Sequence, residues 1–172
     1  MFFSAIVFDF DGIIVESTEV KSAAFYEVAL EWGEDAALRM AEYHAKNFGV
    51  SRFAKFEWFF KKVLGKDLSP EMSAYLNNRF STICVEKIIQ APLVPGFADA
   101  IARAYGHCPL FVASATPQEE LETIMAARGL DVFFKGIFGS PPEKAANLQK
   151  AVDALNAHPA RVLMVGDSQA AY

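Results

Sequence analysis

The 172 residues predict an α/β protein, a parallel sheet flanked by helices and interrupted by one inserted helical domain. Three observations carry that expectation. Short apolar runs recur four times, each stopping at a polar or Gly-containing turn; amphipathic, capped segments separate the later ones; and the stretch after the first run has helical patterning and no convincing strand. At 53% hydrophobic and 22% charged, the chain folds as a globule with ample core, and its length is that of one ordinary domain, which rules out a tandem multidomain design.

The first run, Ser4–Phe8, is apolar and partly β-branched and stops at Asp9-Phe10-Asp11-Gly12, as a fully buried strand of a parallel sheet would. Pro109–Ala113 leads into Ser114-Ala115-Thr116-Pro117, Phe134–Phe138 into Gly139-Ser140-Pro141-Pro142, and Arg161–Val165 into Gly166-Asp167-Ser168. Helices are expected between them. Thr116-Pro117-Gln118-Glu119 has the form of a capping box with proline at the first helical position; Leu121, Ile124 and Met125 share one face, and Gly129 closes the end. Gly96–Tyr105 and Glu143–Ala157 read as two more, the latter with Leu148, Val152 and Leu155 on one face. Strand, turn and helix in this order give a Rossmann-like wound sheet.

The insertion spans residues 16–90 and reads as a bundle of about four helices. Its expected apolar faces are Phe25, Val28, Ala29 and Trp32; then Phe53, Phe56, Phe59, Phe60, Val63 and Leu64; then Met72, Tyr75, Leu76, Ile83 and Ile88. Ser69-Pro70-Glu71 supplies a cap and an N1 proline for the last helix. Residues 1–15 and 91–172 form the expected α/β catalytic core and residues 16–90 a helical cap with a small core of its own, the second junction carrying Pro92, Pro95 and Gly96.

A net charge of −5 without a run of basic residues argues against nucleic-acid and anionic-membrane partners, so any anion must be bound by a few local groups. Cys84 and Cys108 are the two cysteines and belong to no Cys-x-x-Cys pair, which fits a reducing compartment. The apolar N-terminus has no basic leader and runs directly into Asp9 and Asp11, so neither a signal peptide nor a membrane span is expected and the location is read as cytoplasmic.

Ligands of open parallel sheets bind outside the carboxyl ends of the strands. There the sequence places Asp9 and Asp11, Ser114, Lys144 and Asp167. Converging carboxylates repel unless a cation joins them, and an all-oxygen donor set without suitable histidine or cysteine favours a hard ion, Mg2+ when a phosphate supplies a further ligand. Lys144 and the Ser114 hydroxyl can hold the nonbridging oxygens of a phosphoryl group, Asp9 can attack phosphorus, and Asp11 can protonate the leaving oxygen and then activate water.

Asp9-Phe10-Asp11-Gly12-Ile13-Ile14, Ser114, Lys144 and Gly166-Asp167-Ser168, in that order along the whole chain, resemble the four signature motifs of the haloacid dehalogenase superfamily. The pattern is similar to its helical-cap phosphatase branch, the phosphoglycolate-phosphatase-like and β-phosphoglucomutase-like enzymes. The resemblance implies Asp9 as nucleophile and Asp11 as general acid/base, with Ser114, Ala115, Lys144 and Gly12 as phosphate-binding positions. It also implies Mg2+ held by Asp9, Asp11 through its backbone carbonyl, and Asp167. The dehalogenases of the superfamily lack the second aspartate, so phosphoryl transfer is expected over carbon–halogen hydrolysis.

In the insertion, Gly49-Val50-Ser51-Arg52 resembles the cap loop that brings an arginine to the substrate in the β-phosphoglucomutase-like enzymes. Arg52 would pair with a carboxylate or second phosphate, with Lys55, His44 and Asn47 as neighbours. The residues alone leave other readings open: Arg52 and Lys55 as a solvated helix face, His44 as a packed core histidine. The expected partner is a small phosphorylated metabolite, a sugar phosphate or phospho-hydroxy acid, and the expected state a monomer or weak dimer. The fourth motif departs from the family pattern, with Ala171 where a second carboxylate is usual, and the chain stops at Tyr172 where relatives continue, so the core is expected to be cut short at its C-terminus. A Mg2+-dependent phosphatase is the leading reading; a phosphomutase, or a catalytically weakened phosphate-binding protein, are its rivals.

Overall fold

The computed structural model describes residues 3–155 and 158–167, so Ser168 and Ala171 lie outside the described residues. The chain divides into two compact units, Met1–Glu16 with Ala91–Tyr172, and Ser17–Gln90.

In the first unit four strands, β1 (Ala5–Phe8), β2 (Leu110–Pro117), β3 (Gly136–Ser140) and β4 (Val162–Val165), form one parallel sheet in the order β3-β2-β1-β4. The fold is therefore α/β and Rossmann-like. Ala5, Val7, Phe111 and Ala113 point to one face, where Leu148, Ala151 and Leu155, from the segment that follows β3, cover them. Phe8 points to the other face and meets Phe97 edge-on at 5.7 Å. Each such large side chain removed from water contributes about 1.5–3 kcal/mol, which is why the central strands carry no charge. Helices α5 (Phe97–Ala104), α6 (Gln118–Ala127) and α7 (Lys144–Asp153) complete the unit. The segments flanking the insertion run antiparallel, with Val15 bridging Leu93 and the Glu16 amide donating to the Pro92 carbonyl.

Two expectations shift here. The third strand starts two residues later than Phe134, because a 3-10 turn occupies Asp131–Phe133, and it runs through Gly139 and Ser140. Gly139 is required in that extension: a Cβ there would lie 2.6 Å from the Thr116 carbonyl. The capping box is also not formed. β2 continues through Thr116, its pairing with β3 interrupted between Ala113 and Pro117, and Pro117 occupies the N-cap position with extended backbone and no side-chain cap. The Thr116 hydroxyl is engaged elsewhere.

The second unit is all-helical: α1 (Thr18–Ala29), α2 (Glu34–Lys46), α3 (Arg52–Trp58) continued by a π-helical stretch Phe59–Leu64, and α4 (Pro70–Gln90). Ser69 Oγ accepts the Met72 amide at the start of α4, as the cap signal anticipates. Phe25 is the centre of the core, in ring contact with Phe80 at 4.4 Å, His44 at 4.6 Å and Phe56 at 5.5 Å, while Trp32 packs edge-on against Phe59 and Phe60. The buried stripe of α3 and its continuation is Arg52, Lys55, Phe56, Phe59 and Phe60, an i, i+3, i+4, i+7, i+8 series that leaves Phe53 exposed. On α4 the buried positions are Leu76, Asn77, Phe80, Cys84 and Ile88, so Phe80 and Cys84 take the place expected of Tyr75 and Ile83.

No helix among the described residues is long and apolar enough to cross a membrane.

Candidate active site

The carboxyl end of the sheet is where the chemistry collects. β1 ends at Phe8, and the next residue is pinned on both its backbone and its side chain. The Asp9 amide donates to the Val165 carbonyl of β4 at 2.9 Å, and Asp9 Oδ1 accepts the Phe10 amide at 2.8 Å. Asp9 Oδ2 accepts a hydrogen bond from Lys144 Nζ at 2.5 Å, forming an ion pair with both side chains buried. Burial is the largest influence on the Asp9 carboxyl and pushes it above the ordinary carboxylate range. Lys144 and the Phe10 amide pull it back, and the neighbouring Asp11 charge pushes it further up.

Lys144 reaches Asp9 because its loop is tied at several points. Ser140 Oγ donates to the Ala115 carbonyl at 2.9 Å, joining the ends of β3 and β2. Asn147, one turn into α7 and wholly buried, donates through Nδ2 to the Gly139 carbonyl at 2.8 Å and the Pro142 carbonyl at 3.4 Å. Lys144 is the first residue of α7, so its ammonium and the positive end of the helix act at the same place.

Asp11 follows in a turn that the backbone closes on itself. Ile14 and Val15 amides donate to the Phe10 carbonyl, and the Gly12 amide donates to Val15. Gly12 has φ 73°, a left-handed conformation open to glycine at little cost. Phe10, Ile14 and Val15 are fully buried and anchor the turn in the core.

On β2, Ser114 is fully buried and its Oγ accepts the Thr116 amide at 3.0 Å, which leaves the hydroxyl proton free to donate. Thr116 Oγ1 donates to Asp11 Oδ2 at 3.2 Å. The structure thus joins Asp9 to Lys144 directly and Asp11 to Ser114 through Thr116, with Gly12 in the Asp11 turn and Ala115 holding the Lys144 loop by its carbonyl. Asp167 is exposed and follows β4, whose last residue, Val165, pairs with Phe8 of β1.

Thr116 and Asn147 were not anticipated from the sequence. Thr116 stands two residues after Ser114 along a strand, a spacing that returns to the same side of the sheet and was the available signal. Asn147 gave none, because a polar residue in the first turn of an amphipathic helix ordinarily faces water.

A hard divalent cation fits these residues in kind. They offer oxygen donors only, and the buried Asp9 carboxylate is disfavoured both by burial and by Asp11. Among the described residues no three His, Cys, Asp or Glu side chains form a metal-holding group. Mg2+ does not need one, since it is commonly held by one or two carboxylates and keeps several waters.

The four other candidates belong to the helical unit. Lys55 Nζ lies 2.8 Å from His44 Nδ1 and 5.3 Å from the centre of the Phe25 ring. Arg52 Nη1 donates to Ser81 Oγ at 3.2 Å, and its guanidinium stands 5.1 Å from the Phe80 ring centre. Arg52, Lys55 and His44 are all buried, so the solvated-face reading of Arg52 and Lys55 is overturned: aromatic faces and polar atoms inside the bundle accept the cations. Asn47 donates its side-chain amide to the Tyr43 carbonyl at 2.8 Å.

Residues 3–170 match the haloacid dehalogenase-like hydrolase family. The chain belongs to that family. Among solved structures, a predicted phosphoglycolate phosphatase from Haemophilus somnus is similar over 99% of this chain and 79% of its own, at 22% identity and a TM-score of 0.75. β-Phosphoglucomutase from Clostridium difficile matches over 98% of this chain and 78% of its own, at 18% identity and a TM-score of 0.80. CbbY from Rhodobacter sphaeroides, solved in complex with phosphate, matches over 98% and 79%, at 24% identity and a TM-score of 0.73. At these identities the likeness is one of fold. No match was found among the curated proteins. As a haloacid dehalogenase-like hydrolase, the chain carries its buried acid–lysine pair on the fold of its family.

Proposed function

We propose that this hydrolase is a Mg2+-dependent phosphatase of small phosphomonoesters, sugar phosphates or phospho-hydroxy acids, working through an aspartyl phosphate on Asp9. The observation that carries the reading is the buried Asp9–Lys144 pair with Asp11 beside it, two carboxyl groups in unlike surroundings at one sheet edge. Asp9 attacks phosphorus through a carboxylate oxygen, the ester P–O bond breaks, and the Asp11 carboxyl gives its proton to the departing oxygen. Water then attacks the phosphorus of the aspartyl phosphate, Asp11 takes its proton, and the acyl phosphate P–O bond breaks to return Asp9 and free phosphate. Lys144 and the Ser114 hydroxyl hold the nonbridging oxygens throughout. Asp9, the Asp11 carbonyl and Asp167 would hold a cation, which would supply positive charge to offset the phosphoryl charge beside the carboxylates.

Phosphate release measured over sugar phosphates, phosphoglycolate and nucleotides tests the reading. Wild-type protein should turn over at least one phosphomonoester, chelation should suppress the rate, and Asp9→Asn should lower it by about 10³-fold or more with the fold kept. Full activity in Asp9→Asn would sink the nucleophile assignment, and full activity in excess chelator the cation. The alternative reading is a phosphomutase, which rests on the likeness of the Gly49–Arg52 segment to the cap loop of the β-phosphoglucomutase-like enzymes; an isomerised phosphate ester as product, in place of free phosphate, would select it.

A further inference from the structure

Thr116 has a role the motifs do not provide. It is a buried strand residue whose amide is held by Ser114 Oγ and whose hydroxyl donates to Asp11 Oδ2 at 3.2 Å. The backbone that carries the hydroxyl is thus held by Ser114, and the hydroxyl itself has the Asp11 carboxylate as acceptor. We infer that Thr116 is a positioning residue for proton transfer by Asp11: its hydroxyl fixes which carboxyl oxygen faces the leaving group, and it does so from the strand that presents the phosphate-binding Ser114. The inference rests on the phosphatase reading above.

The chemistry follows from the two oxygens of one carboxyl group. Oδ2 accepts from Thr116, so the proton that Asp11 delivers is carried by Oδ1, and the group cannot rotate without losing the Thr116 bond. When the ester P–O bond breaks, that proton passes from Oδ1 to the departing alkoxide; in the second half the same oxygen takes the proton of the attacking water, so proton and charge balance over the cycle. A carboxyl group free to rotate would meet the leaving oxygen only part of the time. The loss must grow with the need of the leaving group for a proton: an alkoxide cannot depart without one, whereas a nitrophenolate is a stable anion.

The test compares two esters on the same preparations, phosphoglycolate and p-nitrophenyl phosphate, with Thr116→Val and Thr116→Ser. Valine keeps the β-branched shape and removes the hydroxyl; serine keeps the hydroxyl. Thr116→Val should lower kcat on phosphoglycolate by about 10–100-fold with KM little changed, lower kcat on p-nitrophenyl phosphate by less than about 5-fold, and Thr116→Ser should recover most of the loss. The ratio of the two rates does not depend on how much of a variant is folded, so it remains readable in a destabilised preparation. Equal losses on both esters, a rise in KM with kcat unchanged, or no recovery in Thr116→Ser would overturn the positioning role while leaving the phosphatase reading in place. A wild-type protein without phosphate release from these two esters and from every sugar phosphate and nucleotide of the panel above, or an Asp9→Asn variant at full rate, would overturn both.

Discussion

Both units of this molecule bury lysine, and they do so by different physics. In the α/β unit Lys144 meets a carboxylate: its ammonium lies against Asp9, and the attraction between full charges offsets part of the cost of the water both have lost. In the helical unit Lys55 meets, among its contacts, a ring nitrogen and a ring face, His44 Nδ1 and Phe25, which offer partial charges. An ion pair can be opened by a competing anion, and a phosphoryl group arriving at Asp9 is such a competitor. A cation seated on aromatic faces is instead locked by shape. The first arrangement suits a site that must exchange partners, and the second suits a scaffold that must keep α2 and α3 in register.

The largest expected effect follows from breaking the ion pair from one side. Lys144→Met keeps the stem and removes the charge, leaving Asp9 buried without its cation, a change that ordinarily costs about 3–5 kcal/mol. The sign of its pH dependence is fixed. Burial holds the folded Asp9 carboxyl above its unfolded value, so the folded state binds more protons and stability falls as pH rises from the unfolded value through the folded one. Lys144 opposes that rise, so its removal pushes the folded value higher and widens the window. Denaturant unfolding in chelator should therefore find the variant close to wild type near about pH 4 and progressively weaker toward neutral pH. A penalty independent of pH would mean that Lys144 acts through packing, and the contrast between the two units would lose its electrostatic half.

How much of this could be read from the chain depends on how local each feature is. Apolar runs that stop at Asp9, Ser114 and Asp167 place those groups at one sheet edge once the strands are parallel, and a helix beginning at Lys144 adds the ammonium; that part needs only local pattern. Thr116 is different. Thr-Pro-Gln-Glu is equally good as a capping box and as the end of a strand, and the choice is made by Asp11, more than a hundred residues earlier, whose carboxylate accepts the hydroxyl. Arg52 and Lys55 escape the usual rule that charges face water, because the rings of Phe80 and Phe25 that receive them come from other helices. Periodicity alone cannot anticipate an acceptor brought by the tertiary fold.

In the helical unit the corresponding substitution is milder. Lys55→Met should cost about 1–2 kcal/mol, less than Lys144→Met, because the contact it removes is to an imidazole nitrogen rather than to a buried carboxylate. Adding His44→Phe to that variant should recover most of the loss, since replacing both partners of a buried polar contact by apolar groups of similar shape is nearly neutral. Thermal and denaturant midpoints of the single and double variants check this. A double variant less stable than either single would show that His44 has a packing role beyond its contact with Lys55.

The smallest effect is expected at Phe53, and it decides how far the aromatic account of the cations reaches. Phe53 is 38% exposed, and the Arg52 guanidinium lies 6.0 Å from its ring centre, against 5.1 Å for the buried Phe80 ring. An exposed cation–π contact at that distance contributes about 0.5–1 kcal/mol at most, and little apolar area is at stake. Phe53→Ser should thus change unfolding free energy by no more than about 1 kcal/mol, whereas Phe80→Ala, which also opens a cavity beside Phe25 and Phe56, should cost about 3–5 kcal/mol. If the two substitutions cost the same, Arg52 would be held mainly from the solvent side, and the shape-locked picture of the helical unit would give way to one in which its cations are clamped at the surface.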